Sequence, residues 1–467
     1  MSFSSLKEDD DDVLETGTGI AMTDMRAEND AWLRPKENNH TNKSNGDADD
    51  NNQDFVTYLK VVLKELFFGH WMNVLLVFLP FAFISQSAKW GEGVTFVLAL
   101  LALCPLAERI SFVTEDVAKY TNDTLGGLLN ATFGNVTEII VCIFALKRNL
   151  VRVVQVSMLG SILSNLLLVL GTAFIVGGMK HKEQSFNAVA AVTNSGMLLL
   201  SLCGLSLPVI LTSTHTGVNP GSISQSHLIV ADAGKMEINT TVGTNVSHAL
   251  SGNDGSAPIG LSRFIACLML LTYVFYIVFQ LVTHTYMFEG QEDDDEDPPI
   301  LGLKGGIVLL GLLTVFISLL SDMIVDAIDG AATELKIPYL FIGTILIPIV
   351  GNAAEHAAAI IFAHRNKMEI SLGIAVGSAV QISLFVIPLT VLLGWFMGVN
   401  MTLDFHPMET VTVLLTVVTV AFVIQDGKST YLKGILLIAM YLCISAAFWV
   451  HVDPREVTER GGAGDRM

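Results

Sequence analysis

From Phe55 to Val450 the chain is a series of apolar runs divided by short polar, glycine- or proline-containing breaks. Runs of about 20 apolar residues match the thickness of a bilayer core when helical. Eleven such spans are predicted, near 70–88, 93–113, 124–146, 151–178, 186–211, 261–283, 301–325, 338–363, 369–394, 407–425 and 431–450. Trp71, Trp90, Trp395 and Trp449 fall near span ends, where an aromatic belt places them. Before the first span, residues 55–69 alternate helically. Phe55, Tyr58, Leu59, Val62, Leu63 and Leu66 share one face and Lys60 and Lys64 lie near the other, the pattern of a helix in the membrane interface. Residues 1–54 and 451–467 carry no such pattern and read as tails, the first one acidic and disordered.

Two of the runs carry the same polar motif. The sequence Gly134-Asn-Val-Thr-Glu138 in the third span returns as Gly351-Asn-Ala-Ala-Glu355 in the eighth. The offset of 217 holds without a gap through Ile143 and Ile360, Arg148 and Arg365, Asn149 and Asn366, to Gly160-Ser161 and Gly377-Ser378. This is an internal duplication. The copies lie five spans apart, an odd number, so they cross in opposite directions. The predicted architecture is therefore an all-α polytopic membrane protein of about 11 transmembrane helices. It comprises two inverted five-helix repeats, 93–283 and 301–450, plus one extra N-terminal helix, 70–88. Inverted repeats place a binding site near the midplane between the halves.

Composition supports this picture. The chain has 467 residues, 51% of them hydrophobic and 15% charged, with a mean hydropathy of +0.56. The net charge of −19 excludes a basic nucleic-acid footprint. It resides largely in the N-terminal tail and in the linker 289–299, where seven of the nine residues from Glu289 to Asp297 are acidic. The loop 212–260 contains sequons at Asn239 and Asn245, and glycosylation there puts this loop in the lumen and the N-terminus and acidic linker in the cytosol. Five cysteines lie in apolar segments at irregular spacing and read as small buried hydrophobes, not as disulfide partners or zinc ligands.

An acid at bilayer depth costs about 2.5–3.5 kcal/mol on insertion scales, and this chain carries Glu138 and Glu355 at equivalent depths. Asn135 and Asn352 each precede their glutamate by three residues, which puts amide and carboxylate on one helix face. Gly134 and Gly351, with Pro348 nearby, point to hinges or breaks in these helices. Broken helices are tolerated in a membrane where they line a watery cavity. A set of carboxylate and amide oxygens suits a hard cation such as Ca²⁺. Two facing carboxylates are neutralised equally well by one divalent cation or by two protons, and that equivalence couples cation movement to proton movement. Ser164 and Gln381 occupy matching positions and are candidates for further oxygens. Glu108 and Asp322, with Glu115 and Asp329 seven residues on, form a second set of acids paired across the halves, and Asp326 is an extra acid. His356 has Ile139 as its counterpart, and a histidine there is suited to tuning proton competition.

These motifs, with Ala107-Glu-Arg-Ile-Ser111 and the acidic linker, resemble the cation/proton exchanger family of calcium/proton antiporters over roughly residues 60–450. The resemblance implies the cation/calcium exchanger fold and a transporter, not an enzyme. Ca²⁺ and protons would be cargo, and no cofactor is implied. Glu138 and Glu355 would be the central carboxylates, and Asn135, Asn352, Glu108 and Gln381 would help to bind cation or proton. It further implies a vacuolar or similar acidic-compartment membrane. Mn²⁺/H⁺ exchange, sodium-coupled exchange and a passive cation channel are the alternatives. Asn135 and Thr137 depart from the Ser/Thr- and Pro-rich surroundings usual in sodium-coupled relatives.

Overall fold

In the computed structural model the described residues are 60, 64, 69–215, 256–287 and 299–451, and all but Lys60 belong to the compact unit Val61–Met467. The tail 1–54, most of the interfacial segment 55–69, the two sequons, residues 289–298 of the linker and residues 452–467 lie outside them. Among the described residues, nine helices are long and apolar enough to cross a membrane. They are α1 (Trp71–Ala88), α2 (Glu92–Ala118), α5 (Val151–Lys180), α6 (Ala188–Thr212), α7 (Ile259–Thr283), α8 (Leu303–Leu335), α11 (Met368–Met397), α12 (Pro407–Ile424) and α13 (Tyr431–Val450). A tenth crossing is the bent pair α9 (Tyr339–Gly351) and α10 (Ala353–His364), which meet at 55°. The predicted third span is two short helices, α3 (Asp123–Phe133) and α4 (Val136–Lys147).

The helices cross back and forth between two faces of the molecule. The first face holds the C-terminal end of α2 and the start of α8, joined where Asp116 accepts the backbone N–H groups of Ile300 and Leu301, both at 2.9 Å. The second face holds the start of α2 and the end of α8, where Glu334 accepts from the N–H groups of Glu92 at 3.3 Å and Gly93 at 2.8 Å. Long antiparallel contact between α2 and α8 links these ends. Gly306 packs on Val117 and Gly330 on Glu92, and a β-carbon at either glycine would overlap its neighbour. Both helices outrun the predicted spans 93–113 and 301–325. Their polar ends are held by each other's carboxylates, so hydropathy ends before the helix does. Asp322, Asp326 and Asp329 therefore lie within α8 and not beyond it.

The core runs through all the crossings, and α5 is its centre, with every residue from Arg152 to Leu167 buried. Two ties flank it. On the first face a two-residue strand, β1 (Gln184–Ser185), pairs antiparallel with β2 (Lys428–Ser429). Beside it Lys433 holds the Asp426 carboxyl below the usual carboxylate range. On the second face Arg152 donates to both oxygens of Glu409, and both residues are buried. Removing one partner of such a pair strands a buried charge. Arg152→Met is therefore expected to lower unfolding stability by about 3–5 kcal/mol, whereas Arg152→Met with Glu409→Leu recovers most of it. Thermal unfolding of the detergent-purified variants measures both.

The tryptophans of the predicted belt are outward-facing, and Arg263 lies 4.7 Å over the Trp395 ring. The cysteines divide differently from expectation. Cys142 is buried and Cys104 half-buried, while Cys203, Cys267 and Cys443 are exposed on the outer surface. In a membrane that surface is apolar, so an apolar residue gains nothing there by turning inward.

Candidate cation site

Both copies of the motif interrupt a helix at the asparagine. Asn135 (φ −106°, ψ 15°) separates α3 from α4, and Asn352 (φ −87°, ψ 17°) separates α9 from α10. The chain then re-enters a helix whose first turn carries the glutamate. A helix start presents unpaired N–H groups and the positive end of its dipole to that turn. Pro348 is not itself the break; it follows the π-helical turn Ile342–Leu346, which absorbs its missing donor. Arg148 meets α8 on the second face, whereas Gln184 meets Ala363 and Asn366 on the first. The two glutamate-bearing helices therefore run in opposite senses.

The two motifs converge. A β-carbon on Gly351 would lie 2.7 Å from Glu138 Oε1, so the bare glycine lets the first carboxylate lie against the second motif. Each asparagine reaches into the other half: Asn135 Nδ2 donates to Gln381 Oε1 at 2.7 Å, and Asn352 Nδ2 donates to the Ser161 carbonyl at 3.2 Å. What remains is a set of buried oxygens with no hydrogen-bond partner: both oxygens of Glu138, Oε2 of Glu355, Oδ1 of Asn352 and Oγ of Ser164. Buried polar atoms are ordinarily satisfied, so two carboxylates left with orphaned oxygens mark a place built for a guest. Their hard-oxygen character fits a Group 2 cation or protons. Among the described residues no three His, Cys, Asp or Glu side chains gather, so a cation here would rely on two carboxylates with amide, hydroxyl and backbone oxygens.

Access is one-sided. A cavity of about 230 Å³, lined by Glu115, Asn130, Asn135, Glu355, Ser378 and Gln381 among others, lies toward the first face. Glu355 is partly accessible, while Glu138 is only 5% exposed. The space beside Glu138 toward the second face, between Thr137, Met158 and Pro348, holds only about 10 Å³. The duplicated glycines record the same asymmetry. A β-carbon on Gly160 would overlap the Thr344 carbonyl oxygen and lie 2.6 Å from Pro348 Cγ; one on Gly377 would meet nothing within 4 Å.

The remaining predicted residues lie around this centre. His356 Nε2 and Thr172 Oγ1 are 2.8 Å apart, which fixes the ring beside Glu355. Glu108 is ion-paired with Arg109 and Asp322 with Arg148, and neither acid lines the cavity. Gly134 has ordinary helical φ and ψ. Sequence reasoning named Ser378, which accepts from Asn165 Nδ2 at 2.9 Å, only as a repeated position and did not name Thr172. Ser378 at least carried a signal, since the repeat offset pairs it with Ser161.

The family model for the sodium/calcium exchanger protein matches residues 91–282 and 305–450. Vacuolar cation/proton exchanger 5 of Arabidopsis thaliana is 46% identical over 397 residues, 82% of each chain. The chain belongs to the cation/proton exchanger family. Vacuolar cation/proton exchanger 3 of Oryza sativa subsp. japonica is 42% identical over 416 residues, covering 87% of this chain and 92% of that one. Among solved structures, native YfkE superposes with a TM-score of 0.65 at 30% identity, over 81% of this chain and all of the other. A selenium-substituted form of it is described as a Ca²⁺/H⁺ antiporter protein. An H⁺/Ca²⁺ exchanger CAX shares the fold at a TM-score of 0.57 and 15% identity, over 84% of this chain and 93% of that one. This cation/proton exchanger is thus an integral membrane transporter, not an enzyme.

Proposed function

We propose that this exchanger moves Ca²⁺ out of the cytosol into an acidic vacuole in return for protons, by alternating access. Glu138 and Glu355 bind either the cation or protons. The observation that carries this reading is the buried carboxylate of Glu138, neither of whose oxygens is hydrogen-bonded. Such a group is costly as a bare anion, and a divalent cation or a proton relieves the cost. The pair therefore favours a filled site in transit. Asn352 Oδ1 and Ser164 Oγ are the proposed neutral ligands, Gln381 and Asn135 brace the opening, and His356 tunes proton competition. Glu108 and Asp322, already held by arginines, make no proposed contact with the cation. The names of the plant relatives favour the vacuolar membrane; a cytosolic N-terminus and acidic linker and a lumenal C-terminus are proposed from the sequons of the loop 212–260.

Purified protein in sealed vesicles with an imposed pH step tests the reading. Ca²⁺ uptake into acid-loaded vesicles is expected, lost when a protonophore collapses the step, competed by Mn²⁺ only to the extent that the site admits it, and undriven by a Na⁺ gradient. Uptake that follows the Ca²⁺ gradient alone supports a channel instead, and uptake driven by Na⁺ supports a sodium-coupled exchanger.

A further inference from the structure

The closed second face carries an ion-pair cluster that cation binding does not require. Arg148 follows directly on α4, the helix whose first turn holds Glu138. Its guanidinium donates to the Asp322 carbonyl at 3.1 Å and to Asp322 Oδ1 at 2.8 Å, and lies 3.1 Å from Asp326 Oδ1. All three acceptor atoms belong to α8, which is bound along its length to α2. Arg148 thus ties the α2–α8 pair to the helix that bears the site, on the side where Gly160 closes against Thr344 and Pro348.

The repeated counterpart on the first face is different. Arg365 stands at the matching position, and the following residue, Asn366 (φ 64°), repeats the left-handed conformation of Asn149 (φ 58°). The local backbone is the same in both copies. Yet Arg365 is exposed and its side chain bonds to no described residue, while Glu108, the counterpart of Asp322, is taken by Arg109. The tie is made where the path to the site is shut, and its equivalent is unmade where the cavity lies open.

We propose that Arg148 is a positioning residue for exchange: its bridge to Asp322 and Asp326 holds the second face shut and must break for that face to open. This rests on the alternating-access reading above. It gives Asp322 the role of a latch and not of a proton carrier. The bridge is partly solvent-exposed, with side-chain exposures of 32% for Arg148, 45% for Asp322 and 62% for Asp326. An exposed pair is weak enough to break within a transport cycle.

The test uses the full chain in vesicles, with its five cysteines replaced and one reporter introduced, either Met158→Cys beside Glu138 or Ala358→Cys in the open cavity. A membrane-impermeant maleimide is added from each side in turn. Arg148→Gln is expected to raise Met158→Cys labelling from the second face about three-fold, the shift that loss of a weak ion pair produces in a two-state equilibrium. Ala358→Cys labelling from the first face is expected to slow. Arg148→Lys, and the exchange Arg148→Asp with Asp322→Arg, are expected to bring both rates back toward those of the parent. Unchanged labelling in Arg148→Gln, or an exchanged pair that labels as fast as Arg148→Gln, overturns the proposal. Should the Met158→Cys reporter respond to Ca²⁺ and pH but not to Arg148, the two-state reading survives and only the latch is lost. Should it never label from the second face under any ionic condition, both are lost.

Discussion

Glu138→Gln and Glu355→Gln are each expected to abolish proton-driven Ca²⁺ uptake while leaving the exchanger folded in the membrane. The loss should be about 100-fold or more, because a charged ligand contributes up to about 3 kcal/mol that an amide does not replace. Stability should not fall with activity. The parent buries a carboxylate with both oxygens unpartnered, and an uncharged amide of the same shape removes a desolvation cost. The midpoint of thermal unfolding without Ca²⁺ should therefore hold or rise. Added Ca²⁺ should stabilise the parent, which binds it only when folded, and should not stabilise either variant. Unfolding curves with and without Ca²⁺ separate loss of binding from loss of structure. Normal uptake in either variant removes that glutamate from the mechanism.

Substitution at the paired glycines is expected to separate folding from transport. A side chain at Gly160 meets backbone and a proline ring, neither of which can swing away. Gly160→Val should cost at least the roughly 1–3 kcal/mol typical of overpacking, visible as a lower unfolding midpoint. A β-carbon at Gly377 meets nothing within 4 Å, so Gly377→Val should unfold near the parent's midpoint. If the first face closes as the second one is closed now, the same valine must then enter a helix contact that has no room for it. Gly377→Val should therefore fold normally and transport poorly. Full transport by Gly377→Val would show that the halves do not exchange conformations.

The motif duplication made the centre of the molecule legible from sequence. Glycine, asparagine and glutamate at a fixed offset located both helix interruptions, because an apolar helix in lipid has no other reason to repeat a polar triplet. Hydropathy failed at the ends of α2 and α8 for an equally physical reason. Glu334 reads as a residue leaving the membrane, yet it ends up capping Glu92 and Gly93 from a distant part of the chain. Glu108 and Asp322 drew attention as intramembrane acids; Arg109 is the residue next to Glu108, but Arg148, the partner of Asp322 in the other half, is apparent only once the helices are placed. Which face is open had no signature at all. Gly160 and Gly377 are identical residues in matching frames, and only the packing of one conformation distinguishes them.

The stitching of α2 to α8 has a mechanical corollary. One carboxylate clasps each end of the pair, Asp116 on one side and Glu334 on the other, and glycines let the shafts touch between them. Two rods pinned at both extremities cannot shear past each other cheaply, so whatever displacement passes across the bilayer must be carried by a single stiff lever rocking against the glutamate-bearing helices. Covalently stapling these two rods together would thus leave turnover intact, whereas stapling either of them to the glutamate-bearing helices would arrest it.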